Sequence, residues 1–256
     1  MPTFNRRMAG GRSVSANSEA PRSRRGNTAQ ANIYWSGITP SGSAAYPVEF
    51  FAVGGGGGGG AGFNNGSTAA QGGTGGGGGG SQTAVLNRIA GTYQIAVGGA
   101  GSAGGYPSPP GGTGGSGSVT DPANNIVCNA PGGGGGASNQ NPPINGTGGV
   151  GTTWTGGTGS SAGGTANSWT GSSVTYSLSG ANAPAGAPTG NEGYGGSAGS
   201  GNPSPGTVGA PGSTFMRIPS QFASKVLSTT GSPTTFSASG FTYYKWTTSG
   251  TVTLLP

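Results

Sequence analysis

The carboxylate, thiol and imidazole side chains on which acid–base and nucleophilic chemistry most often rests are few enough to name in this 256-residue chain. They are Glu19, Glu49, Asp121, Glu192 and Cys128, and there is no histidine. No two carboxylates lie close in sequence, whereas general acid–base catalysis needs tuned groups within reach of one substrate. A cysteine nucleophile needs an activating base, and no imidazole is present to serve. One cysteine builds no intrachain disulfide, and one cysteine without histidine makes no conventional zinc site. No Gly-Lys pair occurs, so there is no phosphate-binding loop of the P-loop kind. Matches to G-x-G-x-x-G carry no information where glycine is this frequent. The expectation is a protein that is not an enzyme, with no catalytic residues, no cofactor and no metal.

Residues suited to binding are easier to find. Arg6, Arg7, Arg12, Arg22, Arg24 and Arg25 against Glu19 give the first 25 residues a charge of +5. The rest carries Arg88, Arg217, Lys225 and Lys245 against Glu49, Asp121 and Glu192, a charge of only +1. Such an arm docks on an acidic or backbone-rich protein surface, or neutralises phosphates. Docking is preferred, because arginines spaced by Ser, Gly and Asn are sparse for nucleic acid. Tyr106, Trp154, Trp169 and Tyr194 interrupt glycine-rich stretches. They are candidate receptor-contact aromatics, or else they cover a thin core. Asn65-Gly66-Ser67 and Asn145-Gly146-Thr147 match glycosylation sequons, taken as chance.

The elements that must position these residues are unusual. Glycine supplies 62 residues and proline 19, while 5% are charged. That is roughly three times the average share of glycine. Four stretches follow. Residues 1–32 form the basic N-terminal docking arm. Residues 33–53 form a leading β segment ending in Tyr46-Pro47-Val48-Glu49-Phe50-Phe51-Ala52-Val53, rich in aromatic and β-branched types. Residues 54–212 are a glycine-rich body, densest over 54–136, and later glycine reads as loop and turn between short strands. Within it, Thr83–Leu86 and Thr92–Val97 read as a hairpin joined by 87–91. Residues 213–256 read as a small C-terminal β module with strands at 226–229, 234–237, 241–246 and 251–255. Turn signals fall at Gly231-Ser232, Ser239-Gly240 and Ser249-Gly250. No segment has helical periodicity. No run reaches the roughly 20 apolar residues of a membrane helix. Asn5-Arg6-Arg7-Met8 is followed by no apolar stretch, so export by a twin-arginine signal is not expected.

Consecutive glycines lose more backbone freedom on folding than any other residue. A left-handed helix with three residues per turn and no internal hydrogen bonds can offset that loss if several such rods pack side by side. Each N–H then bonds a carbonyl on a neighbouring rod. Central rods must be nearly all glycine, while Ala, Ser and Thr suit outer ones. On this logic Gly54, Gly57 and Gly60, with Gly75, Gly78 and Gly80, mark the central rods, and Gly132–Gly136 a third. The fold class expected is mainly β and irregular, a polyglycine-II-like helix lattice with short antiparallel strands, the C-terminal β module and essentially no α-helix.

Several segments carry a resemblance. Tyr46–Val53 running into Gly54–Gly60, then Ile89–Gly101, Gly149–Thr152, Thr170–Tyr176, Arg217–Pro219 and the closing Gly240–Thr253 resemble the glycine-rich domain of bacteriophage tail and appendage structural proteins. In style the chain is similar to T-even-type fibre-tip adhesins, where stacked polyglycine helices present loops to a receptor. The resemblance spans about residues 45–256. It implies a virion structural protein, a tail fibre, appendage or tip adhesin acting in host attachment or as a rigid scaffold. Synthesis in the host cytoplasm without a signal peptide is expected, with a virion as destination. Partners implied are other virion proteins through the arm and a host surface receptor, protein or glycan, with multiple copies per particle. Membrane insertion is not expected, and nucleic acid is disfavoured as a partner. The alternatives are a capsid-surface fibre or decoration protein, and a Gly-rich nucleic-acid-binding protein. The last would need arginine spread through the glycine, where the body has only Arg88 and Arg217.

Overall fold

A computed structural model of the chain describes residues 46–62, 79–87, 90–105, 110–137, 164–170, 172–178, 190–199 and 205–256. Two compact units are distinguished, residues 1–47 with Pro256, and Val48–Leu255. Of the first, only Tyr46, Pro47 and Pro256 are described.

The protein is mainly β-sheet with almost no helix. In chain order the strands are β1 (Pro47–Val53), β2 (Ser81–Asn87), β3 (Gly91–Ala96), β4 (Gly117–Thr120), β5 (Ile126–Ala130), β6 (Thr165–Asn167) and β7 (Val174–Tyr176). They continue with β8 (Ser213–Pro219), β9 (Val226–Thr229), β10 (Thr234–Ala238), β11 (Phe241–Trp246) and β12 (Gly250–Leu254). One 3₁₀ segment, Ser220–Lys225, joins β8 to β9.

The first sheet has the order β10-β11-β8-β1-β2, the second β5-β4-β3-β12-β9, and β6-β7 form a separate ribbon. Alternation along each strand explains the pairing of faces, since successive side chains point to opposite sides. Val48, Phe50, Ala52, Met216, Ile218 and Trp246 are buried on one face of the first sheet, and Tyr93, Ile95, Val119, Cys128, Val252 and Leu254 on one face of the second. The two faces meet. Phe50 and Tyr93 rings lie 5.6 Å apart, and the Thr214 hydroxyl donates to the Ala96 carbonyl across the interface at 3.2 Å. The opposite face of the first sheet carries Phe51, Val53 and Phe215, covered by Tyr176, Val174 and Trp169 from the ribbon.

Two expectations need correction. The strands expected at 83–86 and 92–97 are present but are not a hairpin: β2 edges the first sheet beside β1, and β3 lies inside the second between β4 and β12. The apolar faces of β1 and β3 take opposite sides of one core, so β2 and β3 belong to different sheets. The strands of 213–256 likewise divide. β8 pairs with β1 and β12 with β3, so this segment shares both sheets with strands from the first hundred residues.

Candidate functional site

Between β1 and the later strands the glycine run Gly54–Gly60 is fully enclosed. Its amides donate to Gly80, Gly115, Ala210, Gly112 and Thr207 from residues 54, 55, 56, 58 and 59, at 2.8–2.9 Å. Its carbonyls accept from Gly133, Gly101, Gly196, Gly136, Gly104 and Gly199 at residues 55, 56, 57, 58, 59 and 60. Each neighbour therefore returns every third residue. Three neighbours (98–104, 131–137 and 193–199) run parallel to the central run, and 111–115 and 206–212 run antiparallel. Gly79 and Gly80 lie on a sixth side at Gly54, with the Gly80 amide on the Pro131 carbonyl and the Gly79 amide on the Gly193 carbonyl.

No side chain fits on the central run. A Cβ at Gly54, Gly57 or Gly60 would strike the backbone of 131–137, at Gly55 or Gly58 that of 98–102, and at Gly56 or Gly59 that of 193–197. The segment struck changes in a cycle of three along the run. The outer segments need glycine where they abut backbone, whether of the central run or of another outer segment, as Gly132 abuts Gly114 and Gly135 abuts Gly111. Gly98 and Gly101, Gly111, Gly114 and Gly117, and Gly206, Gly209 and Gly212 all abut neighbouring backbone. At Gly99 nothing lies within 4 Å.

This arrangement corrects the expected order. Among the described residues Gly54–Gly60 is the run bonded to all of these segments, whereas Gly132–Gly136 is one of its neighbours and Gly80 bonds Gly54. Gly75 and Gly78 fall outside the described residues. Glycine after residue 150 is not confined to loops: 193–199 and 206–212 complete the ring. Glycine at 193, 196 and 199, and at 206, 209 and 212, is the period-three signal that would have placed them.

At one end the segments join strands: Val53 precedes Gly54, Gly117 begins β4 and Gly212 precedes β8. The other end is a layer in which Gly60 accepts from Gly199, Gly104 accepts from Gly206, and Gly111 donates to Gly136. From this layer the chain passes into 63–78, 106–109, 138–163 and 200–204. Tyr106 and Trp154 lie in these stretches, outside the described residues, as do all six arginines of the arm.

The other two aromatics are placed. Tyr194 lies on segment 193–199, its hydroxyl donating to the Thr175 carbonyl at 2.8 Å. Its own carbonyl accepts from the Ala210 amide. Burial, aided by Glu192, raises its pKa. Trp169 packs on Phe51 with centroids 5.8 Å apart, edge-on to Tyr243 at 6.1 Å. The Arg217 guanidinium sits 4.4 Å over the Trp169 ring and 4.5 Å over Phe241. Arg217 also makes a two-pronged pair with Glu49, a grouping the sequence did not signal. Partial burial alone would lower the Arg217 pKa, but hydrogen bonds with Glu49 and Tyr243 outweigh it and raise the value.

Asp121 closes the β4–β5 turn, its Oδ1 accepting from the Ala123 and Asn125 amides at 2.9 and 2.8 Å. Cys128 is buried in the core, and burial pushes its thiol up to about 12. Among the described residues no three His, Cys, Asp or Glu side chains converge, and no helix is long and apolar enough to cross a membrane. No protein-family model, curated protein or solved structure matches the chain.

Proposed function

We propose that the chain is a structural protein of a bacteriophage virion, an appendage or fibre-tip component whose glycine segments pack as a polyglycine-II lattice. The observation that carries this reading is the buried run Gly54–Gly60, whose hydrogen bonds to five neighbouring segments recur every third residue. Three residues per turn with all bonding between rods is the habit of polyproline-II-type helices. Rods bonded on every side form a stiff column, as a cooperative set of weak bonds requires.

The β sandwich anchors one end of this column. The opposite layer, through Gly60, Gly104, Gly136 and Gly199, is where the chain departs for four further stretches. A rigid column from whose far layer the chain departs at four places suits host attachment or scaffolding. In this reading the arginines of the arm dock the protein on other virion proteins.

The test is direct. Mass spectrometry and antibody labelling of purified particles are expected to find the chain on a tail or fibre, with the full-length protein binding host cells. Absence from particles overturns the virion assignment. Presence without cell binding overturns the adhesive role and leaves the scaffold.

A further inference from the structure

The outward face of the second sheet is built differently from an ordinary solvent-facing sheet. Its strands β3, β4, β5, β9 and β12 contain no Asp, Glu, Lys or Arg. While Tyr93, Ile95, Val119, Val252 and Leu254 point inward, the alternating positions of β3, β4 and β12 carry hydroxyl and amide side chains except at Ala96, and exposed Ile126 on β5 stands next to Thr120. Thr92, Gln94 and Ser228 are exposed, and Thr120, Thr251 and Thr253 are half-buried. The register aligns them in rows: Ser228–Thr253–Thr92 in one, Thr251–Gln94–Thr120 in the next.

The rows are preorganised. The hydroxyls of Thr92 and Thr253 are hydrogen-bonded at 2.9 Å, as are those of Thr230 and Thr251. Threonine is stiff about χ1, and each bonded pair still offers one donor proton and free lone pairs. Sheet geometry spaces the groups about 4.8 Å across strands and roughly 6.7 Å along them. The edges are closed to strand addition by other means. Register shifts lie opposite both edge strands, at Thr253/Leu254 against β9 and Val119/Thr120 against β5, and bulges disrupt the ladder a new strand would need. Exposed Leu227 and Ile126 stand beside them. The face, and not the edge, is the surface on offer.

We propose that this face binds an uncharged, polyhydroxylated polymer, a neutral polysaccharide. A charged ligand such as a nucleic acid or acidic lipid finds no countercharge on these strands. An apolar ligand would bury the hydroxyls without replacing their bonds to water, which is costly. A neutral glycan brings its own hydroxyls in a regular series and replaces water bond for bond. This inference stands apart from the virion assignment and does not depend on it.

The full chain is to be tested for retention on microcrystalline cellulose and on an insoluble neutral β-glucan, and for retardation in gels containing dextran. Retention on at least one is expected. The Thr92→Val/Thr251→Val double variant keeps β-branching and volume while deleting two hydroxyls. It is expected to lose about tenfold in retention, the scale of one or two unmade hydrogen bonds. Thr235→Lys, on the exposed edge strand β10 of the other sheet, is expected to bind as wild type. Should the valine variant misfold by thermal melting, Thr92→Ser/Thr251→Ser, which keeps both hydroxyls, is expected to fold and retain binding. No retention of wild type on any of the three polymers overturns the proposal, as does equal retention of the valine variant. Inhibition of ice growth without polysaccharide retention also overturns it, since ordered water would then be the ligand.

Discussion

Arg217 on β8 and Glu49 on β1, separated by 168 residues, stand directly opposite each other in register and form a bidentate ion pair, with Nε to Oε1 at 2.6 Å and the second contact at 3.1 Å. Tyr243 on β11 occupies the next register position beyond Arg217, and Phe236 on β10 the one beyond that, stacked on Tyr243 at 4.9 Å. One row thus crosses four strands. With Trp169 over the guanidinium, it also ties the β6-β7 ribbon to the sheet.

Two properties of Arg217 are separable by substitution. Arg217→Lys keeps the charge but loses the planar fork and the ring stacking. Because the pair is part-exposed, the expected loss is about 1 kcal/mol, and for Arg217→Met about 2 kcal/mol. Urea unfolding measures both. In a double-mutant cycle with Glu49→Gln, the coupling is expected at 0.5 kcal/mol or more in magnitude. Additivity within error would mean that the pair contributes nothing of its own.

Glycine at two positions separates lattice from linker. Gly58→Ala places a methyl on the Ser102 carbonyl, whereas at Gly99 a methyl meets nothing within 4 Å. Gly58→Ala is expected to abolish soluble protein, and Gly99→Ala to stay within about 0.5 kcal/mol of wild type. Gly57→Val, aimed at the backbone of Gly134, is expected to behave like Gly58→Ala. If the central variants express and melt like wild type, the enclosed run is dispensable.

Acid is expected to loosen the turn between β4 and β5. The amide of Asn125, opposed by desolvation and aided by the Asn125 side chain and the Ala123 amide, lowers the pKa of Asp121. The unfolded chain therefore takes up this proton first as pH falls. The carboxylate's contribution is complete above its unfolded value, about 3.9, and is lost as pH drops through the lower folded value. The stability gap between wild type and Asp121→Asn should be constant near neutrality and shrink below about pH 4. A gap that widens with acid contradicts this sign.

The Cys128 thiol is 1% exposed, and burial pushes its pKa up to about 12. Thiolate is the reactive form. A thiol reagent near pH 8 is expected to leave the native protein unlabelled for hours and to react fully in denaturant. Rapid native labelling would mean that β5 detaches from the core.

Much of the strand pattern was legible locally. Tyr93, Ile95 and Val97 alternate with smaller or polar residues, and Phe241–Trp246 is bounded by Ser239-Gly240 and Ser249-Gly250. Those signals sit within a few residues and place β3, β11 and β12. The destination of each strand was not legible. Nothing in Thr83–Leu86 or Thr92–Val97 says that they belong to different sheets, because that depends on which apolar face shares a core with Phe50. Trp169 reads either as a receptor-contact aromatic or as a cover over a thin core, and packing on Phe51 and Arg217 decides for the cover.

Short runs of aromatic and β-branched residues between the glycines determined that this chain is mainly β and almost without helix. Glycine at every third position, as in 193–199 and 206–212, was also present to be read, since a backbone with three residues per turn turns the same side inward each third step. The tertiary structure decided which run lies at the centre. Gly54–Gly60 is enclosed because seven consecutive glycines present no Cβ in any direction, so neighbouring backbone can approach from every side. Glu49 and Arg217 became partners for a similar reason: two strands distant in sequence come into register only when the whole sheet closes around them.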